Sequence, residues 1–230
     1  MLREDLILKS PVTKIPAIAN IKDSGFGAVI SRAGVGKTGF LVQIALTRLL
    51  SNENLIHISL YETIEKINLR YNDAYTNLVD SIGYIDPQKA LRLWDDIYSN
   101  KVVISYNENT FDTEKIRDYL KSFKKVELNL PSLIIIDELD FDKDQSDTLE
   151  KLYELSVEYS LFIWFSMKSH REQKFSDEGY PVQLEAYKDK FDKAVYLKPV
   201  EDKIEVVMLK NGGQTEQNLI LQPSTMMTVN

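Results

Sequence analysis

The segment AVISRAGVGKTGF, residues 28–40, decides the fold. Four residues of strand-like composition, AVIS, run into a glycine-bearing turn that ends in Gly36-Lys37-Thr38, and the apolar stretch TGFLVQIALTRLL follows with helical character. A strand, a glycine turn and a helix in that order form an anion cradle. Backbone N–H groups of the turn and of the first helical turn converge on one point, and the helix dipole favours negative charge there. The spacing assigns phosphate contact to Ala33, Gly34, Val35, Gly36, Lys37, Thr38 and Gly39. Lys37 is expected to reach the outer phosphates and the Thr38 hydroxyl to ligate magnesium. Ser31 stands where such loops begin with glycine. It lies at the strand exit, where a small residue suffices, so binding is expected to survive.

A second strand complements the first. SLIIIDELDFD, residues 132–142, sends four apolar residues straight into Asp137, the shape of a Walker B strand. Its carboxylate is expected beside Thr38, holding magnesium through a mostly aqueous shell. Glu138 follows directly and is one candidate base. Further short apolar runs at 55–60, 101–105, 161–166 and 194–197 alternate with helical patterns. That alternation predicts an α/β domain with a largely parallel sheet and helices on both faces. Asp86 before Pro87, and Asp112 between Phe111 and a helix bearing Ile116, read as helix starts. In residues 146–160, Leu149, Leu152, Tyr153 and Ser156 are expected on one buried face. The stretch 204–223 reads as two antiparallel strands turning at Asn211-Gly212 at the sheet's edge. Residues 1–24 are expected as a lead-in arm, 25–222 as the domain and 223–230 as a tail.

Composition narrows the classes. A net charge of −7 argues against a broad nucleic-acid footprint, and the absence of cysteine removes disulfides, thiolate metal sites and cysteine nucleophiles. Only His57 and His170 are available as imidazole ligands, far apart in sequence, so a zinc site is not expected. No segment reaches the roughly 18 uninterrupted apolar residues of a membrane span. The N-terminus has no signal-peptide pattern, and the expected setting is the cytoplasm, with no membrane partner.

From Gly25 to Gln222 the order of parts resembles the RecA-like P-loop ATPases, in particular the KaiC-like and DnaB-helicase-like branches. The likeness rests on AVISRAGVGKTGFLVQIAL, LIHISLYETIEKINLR, LIIIDELDF, LFIWFSMKSHRE and VVMLKNGG, in that order. It implies ATP with Mg2+ as ligands, and a homo-oligomer, a hexamer in those branches. It implies a water-orienting acid at the end of the second strand, which makes Glu62 the rival of Glu138, although Tyr61 occupies a place that is often acidic. Ser166 takes the position of a γ-phosphate sensor, with Lys168 and Arg171 beyond it. Lys210 takes that of the lysine in a trans-acting finger, whose arginine is replaced by Gly212. The loss of that arginine predicts slow turnover. The reading is an ATP-binding protein and slow Mg-dependent ATPase. The alternatives are a nucleotide-sensing module with little or no hydrolysis and, third, a small-molecule P-loop kinase with residues 165–180 as its lid. No Asn-Lys-x-Asp motif supports guanine recognition.

Overall fold

The computed structural model describes residues 2–20, 24–107, 109–125, 129–170, 175–210 and 219–229. Its elements run α1 (Leu2–Lys9), a 3-10 turn (Pro11–Lys14), α2 (Pro16–Ala19), β1 (Gly25–Ser31), α3 (Lys37–Leu50), β2 (Leu55–Ser59), α4 (Ile64–Asp80), α5 (Pro87–Tyr98) and β3 (Lys101–Ser105). There follow α6 (Thr113–Lys125), β4 (Leu133–Asp137), α7 (Ser146–Tyr159), β5 (Phe162–Lys168), α8 (Val182–Glu185), β6 (Lys193–Val200), β7 (Lys203–Lys210) and β8 (Leu219–Leu221).

The eight strands form one sheet in the order β3-β2-β4-β5-β1-β6-β7-β8. Strands β1 to β6 are parallel, and β7 and β8 add antiparallel at one edge. This is the expected mixed α/β sheet with its C-terminal antiparallel strands. The connection at Asn211-Gly212 lies outside the described residues. Because side chains alternate across a strand, each inner strand feeds two cores. Leu133 and Ile135 of β4 face the layer of α3, α4 and α5, while Ile134 and Ile136 face that of α6 and α7. In β1, position 27 must be glycine, since a Cβ there would come 2.6 Å from the Trp164 ring.

Helix starts follow their local chemistry. The Asp86 side chain accepts from the Gln88 N–H, with Pro87 in the first turn. The Asp112 carboxylate accepts from Glu114 N–H, and Phe111 packs against the core that holds Ile116. In α7, Leu149, Leu152 and Ser156 are buried as expected, joined by Leu155 and Tyr159. Tyr153 departs from the expectation. It sits at the stripe's margin, 48% exposed, with its ring edge against Phe26.

The N-terminal residues do more than lead in. Helix α3 is buried on nearly every side, from Phe40 to Leu50. A helix apolar all round needs cover on both sides; the sheet provides one and residues 2–19 the other. Leu6, Val12, Ile15 and Ile18 are buried in the same core as α3, and the Ser10 and Thr47 hydroxyls bond at 2.7 Å. Truncating Leu6 to Ala is expected to cost about 2–5 kcal/mol of stability by the usual transfer-plus-cavity cost; urea denaturation measures it.

The same core holds a neutral imidazole. His57 on β2 is fully buried, its Nδ1 3.0 Å from the Tyr71 hydroxyl, and burial, with Lys101 and Arg70 adding to it, pushes its pKa down to about 3. An unfolded chain binds that proton near pH 6.5, well before the folded one does. Stability is therefore expected to fall as pH drops from about 6.5 towards 3, and a His57→Gln variant should show a shallower fall in thermal midpoint over that window.

Candidate nucleotide site

The phosphate loop leaves the sheet at Ser31. This residue is buried, its hydroxyl donates to the Arg32 carbonyl at 3.0 Å, and its own carbonyl accepts from Ser169 N–H at 2.9 Å. The serine thus fits the strand exit without displacing the loop. The turn then uses two left-handed backbones, Gly34 at φ 78° and Gly36 at φ 118°, conformations that favour glycine. Gly36 is the N-cap of α3 and has no side chain with which to cap it. The first N–H groups of the helix are left facing out, as an anion site requires.

Lys37 lies against its own loop, with Nζ 3.4 Å from the Arg32 carbonyl. Its burial lowers its pKa, while the charges of Asp137 and Glu138 pull the other way. The Thr38 hydroxyl donates to Asp137 Oδ2 at 2.7 Å across 99 residues of sequence. The two halves of the motif, read separately from sequence, therefore meet. Asp137 ends β4 and is wholly buried; that burial raises its pKa, against the Ser166 and Thr38 hydroxyls and the Lys37 ammonium. Its Oδ1 has no hydrogen-bond partner.

That orphaned oxygen tests the fit of a cation. A hydroxyl and a carboxylate, both hard oxygen donors, suit magnesium, which takes few protein ligands and keeps its waters. Among the described residues no group of three His, Cys, Asp or Glu side chains forms a cage, and the Thr38–Asp137 pair is the donor set that remains for a cation shared with phosphate oxygens.

Beyond the loop opens a cleft of about 570 Å³, walled by Ala33, Gly34 and Lys37 on one side and by Tyr61, Glu138, Ser166 and Lys168 on the other. The two candidate bases differ here. Glu138 lines the cleft in a left-handed conformation, φ 67°, fixed by its N–H donating to Ser166 Oγ at 2.7 Å. Burial, then the neighbouring Asp137 charge, raises its pKa. Glu62 is tied down instead. Its carboxylate receives Arg70 Nε at 2.6 Å and Nη2 on the other oxygen, and these bonds hold its pKa low against burial. Tyr61, 82% exposed, is the residue of that turn that lines the cleft.

Lys210 donates its ammonium to the Lys188 carbonyl of its own chain. Arg171 and Gly212 lie outside the described residues. The sequence reading does not single out Arg70; the available signal is a guanidinium on the helix that Thr63 caps directly after Glu62.

No family model matches the chain, and no curated protein does. Among solved structures, a DnaB-helicase ATPase domain aligns over 91% of this chain and 86% of its own, with a TM-score of 0.65 and 13% identity. That likeness shows the fold: a RecA-like ATPase-domain sheet flanked by helices. Among the described residues no helix is long and apolar enough to cross a membrane.

The clamp on Glu62 has a direct readout. In an NMR titration the Glu62 carboxylate is expected to titrate below the ordinary 4.5 and to rise towards it in Arg70→Gln. An unchanged midpoint would mean that the ion pair does not persist in solution.

Proposed function

We propose that the chain binds Mg-ATP at residues 33–39 and hydrolyses it slowly. The observation that supports this most is the Thr38–Asp137 hydrogen bond, which joins the phosphate loop to the acidic strand end at 2.7 Å. Loop amides and the Lys37 ammonium would receive the β- and γ-phosphate oxygens. Thr38 and Asp137 would hold the cation, which when bound supplies charge neutralisation between the phosphates.

For the base, the geometry favours Glu138. It faces the cleft and its raised pKa makes it a better proton acceptor, whereas the Glu62 carboxylate is neutralised by Arg70. Water approaching along the cleft would lose its proton to Glu138. Ser166 positions Glu138 through the backbone, alongside any contact of its own with phosphate. Catalysis of this kind is positioning and charge placement.

A second reading has its own support. Glu62 is clamped and the Lys210 ammonium is held in cis, so neither is free in this state to speed hydrolysis. That favours a cytoplasmic nucleotide-sensing module that assembles, or changes partners, on ATP binding. The same experiment separates the two. Calorimetry with Mg-ATP should show binding that Lys37→Ala abolishes. Phosphate release should fall about a hundredfold or more in Glu138→Gln, the usual scale for a general base, and change little in Glu62→Gln. Binding without phosphate release in the wild type would select the sensing module; loss of turnover in Glu62→Gln alone would reverse the choice of base.

A further inference from the structure

After β8 the chain doubles back as a strap over the start of α3. Met226 N–H donates to the Gln222 carbonyl and Gln222 N–H to the Met227 carbonyl, both at 2.8 Å. Thr228 bridges to Leu221. Two contacts anchor the strap from below: Lys14 Nζ to Thr228 Oγ1 at 2.8 Å, and Gln43 Nε2 to the Thr225 carbonyl at 3.4 Å. The turn places Met226 at φ 54°, a backbone region that a side-chain-bearing residue seldom enters, and its side chain is buried.

The methionine is aimed at the phosphate loop. A Cβ on Gly36 would lie 3.0 Å from its Sδ, and a Cβ on Gly39 would lie 3.1 Å from its Cγ. Gly36 needs to be glycine for its φ of 118°, but Gly39 is not among the positive-φ glycines. At an interior helical position glycine is a poor choice, so space for the thioether accounts for Gly39. On its α4 side the strap borders a cavity of about 140 Å³ next to Arg70, Asp73 and Asn77. The strap is thus not wedged between two helices; its close contact is the one with the loop.

We propose that Met226 is a positioning residue of the phosphate loop, which makes the C-terminal strap part of the nucleotide site. This rests on the reading that the loop holds a nucleotide. Gly36 has more backbone freedom than any other residue would, yet anion binding needs its neighbours' N–H groups fixed to a fraction of an ångström. Met226 removes that freedom from outside the loop. A thioether suits the task because it is soft enough to follow an irregular groove.

The test is a double-mutant cycle on the full chain, with Mg-ATP affinity by calorimetry and the urea midpoint measured in parallel. Met226→Ala is expected to weaken binding about tenfold, and Met226→Leu to restore most of it. Gly39→Ala should also weaken binding, although alanine is the better helix former, and the double variant should bind no worse than Met226→Ala alone. If Met226→Ala fails to fold, Gly39→Ala with and without Met226→Leu decides, since the branched Cγ of leucine must change the Gly39→Ala penalty. Additive effects, or a shifted urea midpoint with unchanged affinity, overturn the positioning role. A wild-type chain that gives no heat with Mg-ATP overturns the nucleotide reading and the positioning role together.

Discussion

The structure depends on one hydrogen bond between groups taken out of water, the Thr38 hydroxyl on the Asp137 carboxylate. Strand β5 separates β1 from β4, so the loop must reach over one strand to make the bond. It can do so because α3 begins at Lys37 and lies across the sheet with its apolar surface covered. Moving α3 by a turn would leave a buried carboxylate unpaired, a costly state in a low-dielectric interior. The packing of the N-terminal layer and the chemistry of the site are therefore parts of one constraint.

Electrostatics at the site follow from the same burial. Lys37 and Asp137 are both shifted towards their neutral forms by desolvation, and each draws the other back towards its charge. Glu138, one residue past Asp137, has its proton affinity raised further by that neighbour. Glu62 escapes it because Arg70 supplies a positive charge at hydrogen-bond range. Two glutamates of similar standing in the sequence thus acquire opposite characters from what surrounds them, a common way for one site to separate its acids and bases.

The strands, the helix caps and the meeting of the two motif halves are legible in the sequence because each is a local pattern or a pair of local patterns. Asp86-Pro87 caps a helix whatever lies elsewhere in the chain. The choice between Glu62 and Glu138 is not legible, since it turns on where Arg70 reaches from the next helix. The N-terminal layer escapes the sequence reading for a related reason. Leu6, Val12, Ile15 and Ile18 have no clean period, because they belong to short separate elements and their junctions, each contributing one or two side chains. Gly39 reads as part of the anion cradle alone; its second reason, the Met226 side chain, comes from the far end of the chain.

The strand order has a consequence for assembly. Strand β1, which launches the phosphate loop, is flanked by β5 and β6, made of residues 162–168 and 193–200. During synthesis it must wait for more than half of the polypeptide before either lateral partner emerges. Such long-range pairing is slow and leaves an unpaired apolar strand open to wrong partners meanwhile. Helix α3 and the layer formed by residues 2–19 can associate far earlier, shielding that apolar helix of the nascent chain while its central strand stays unmatched.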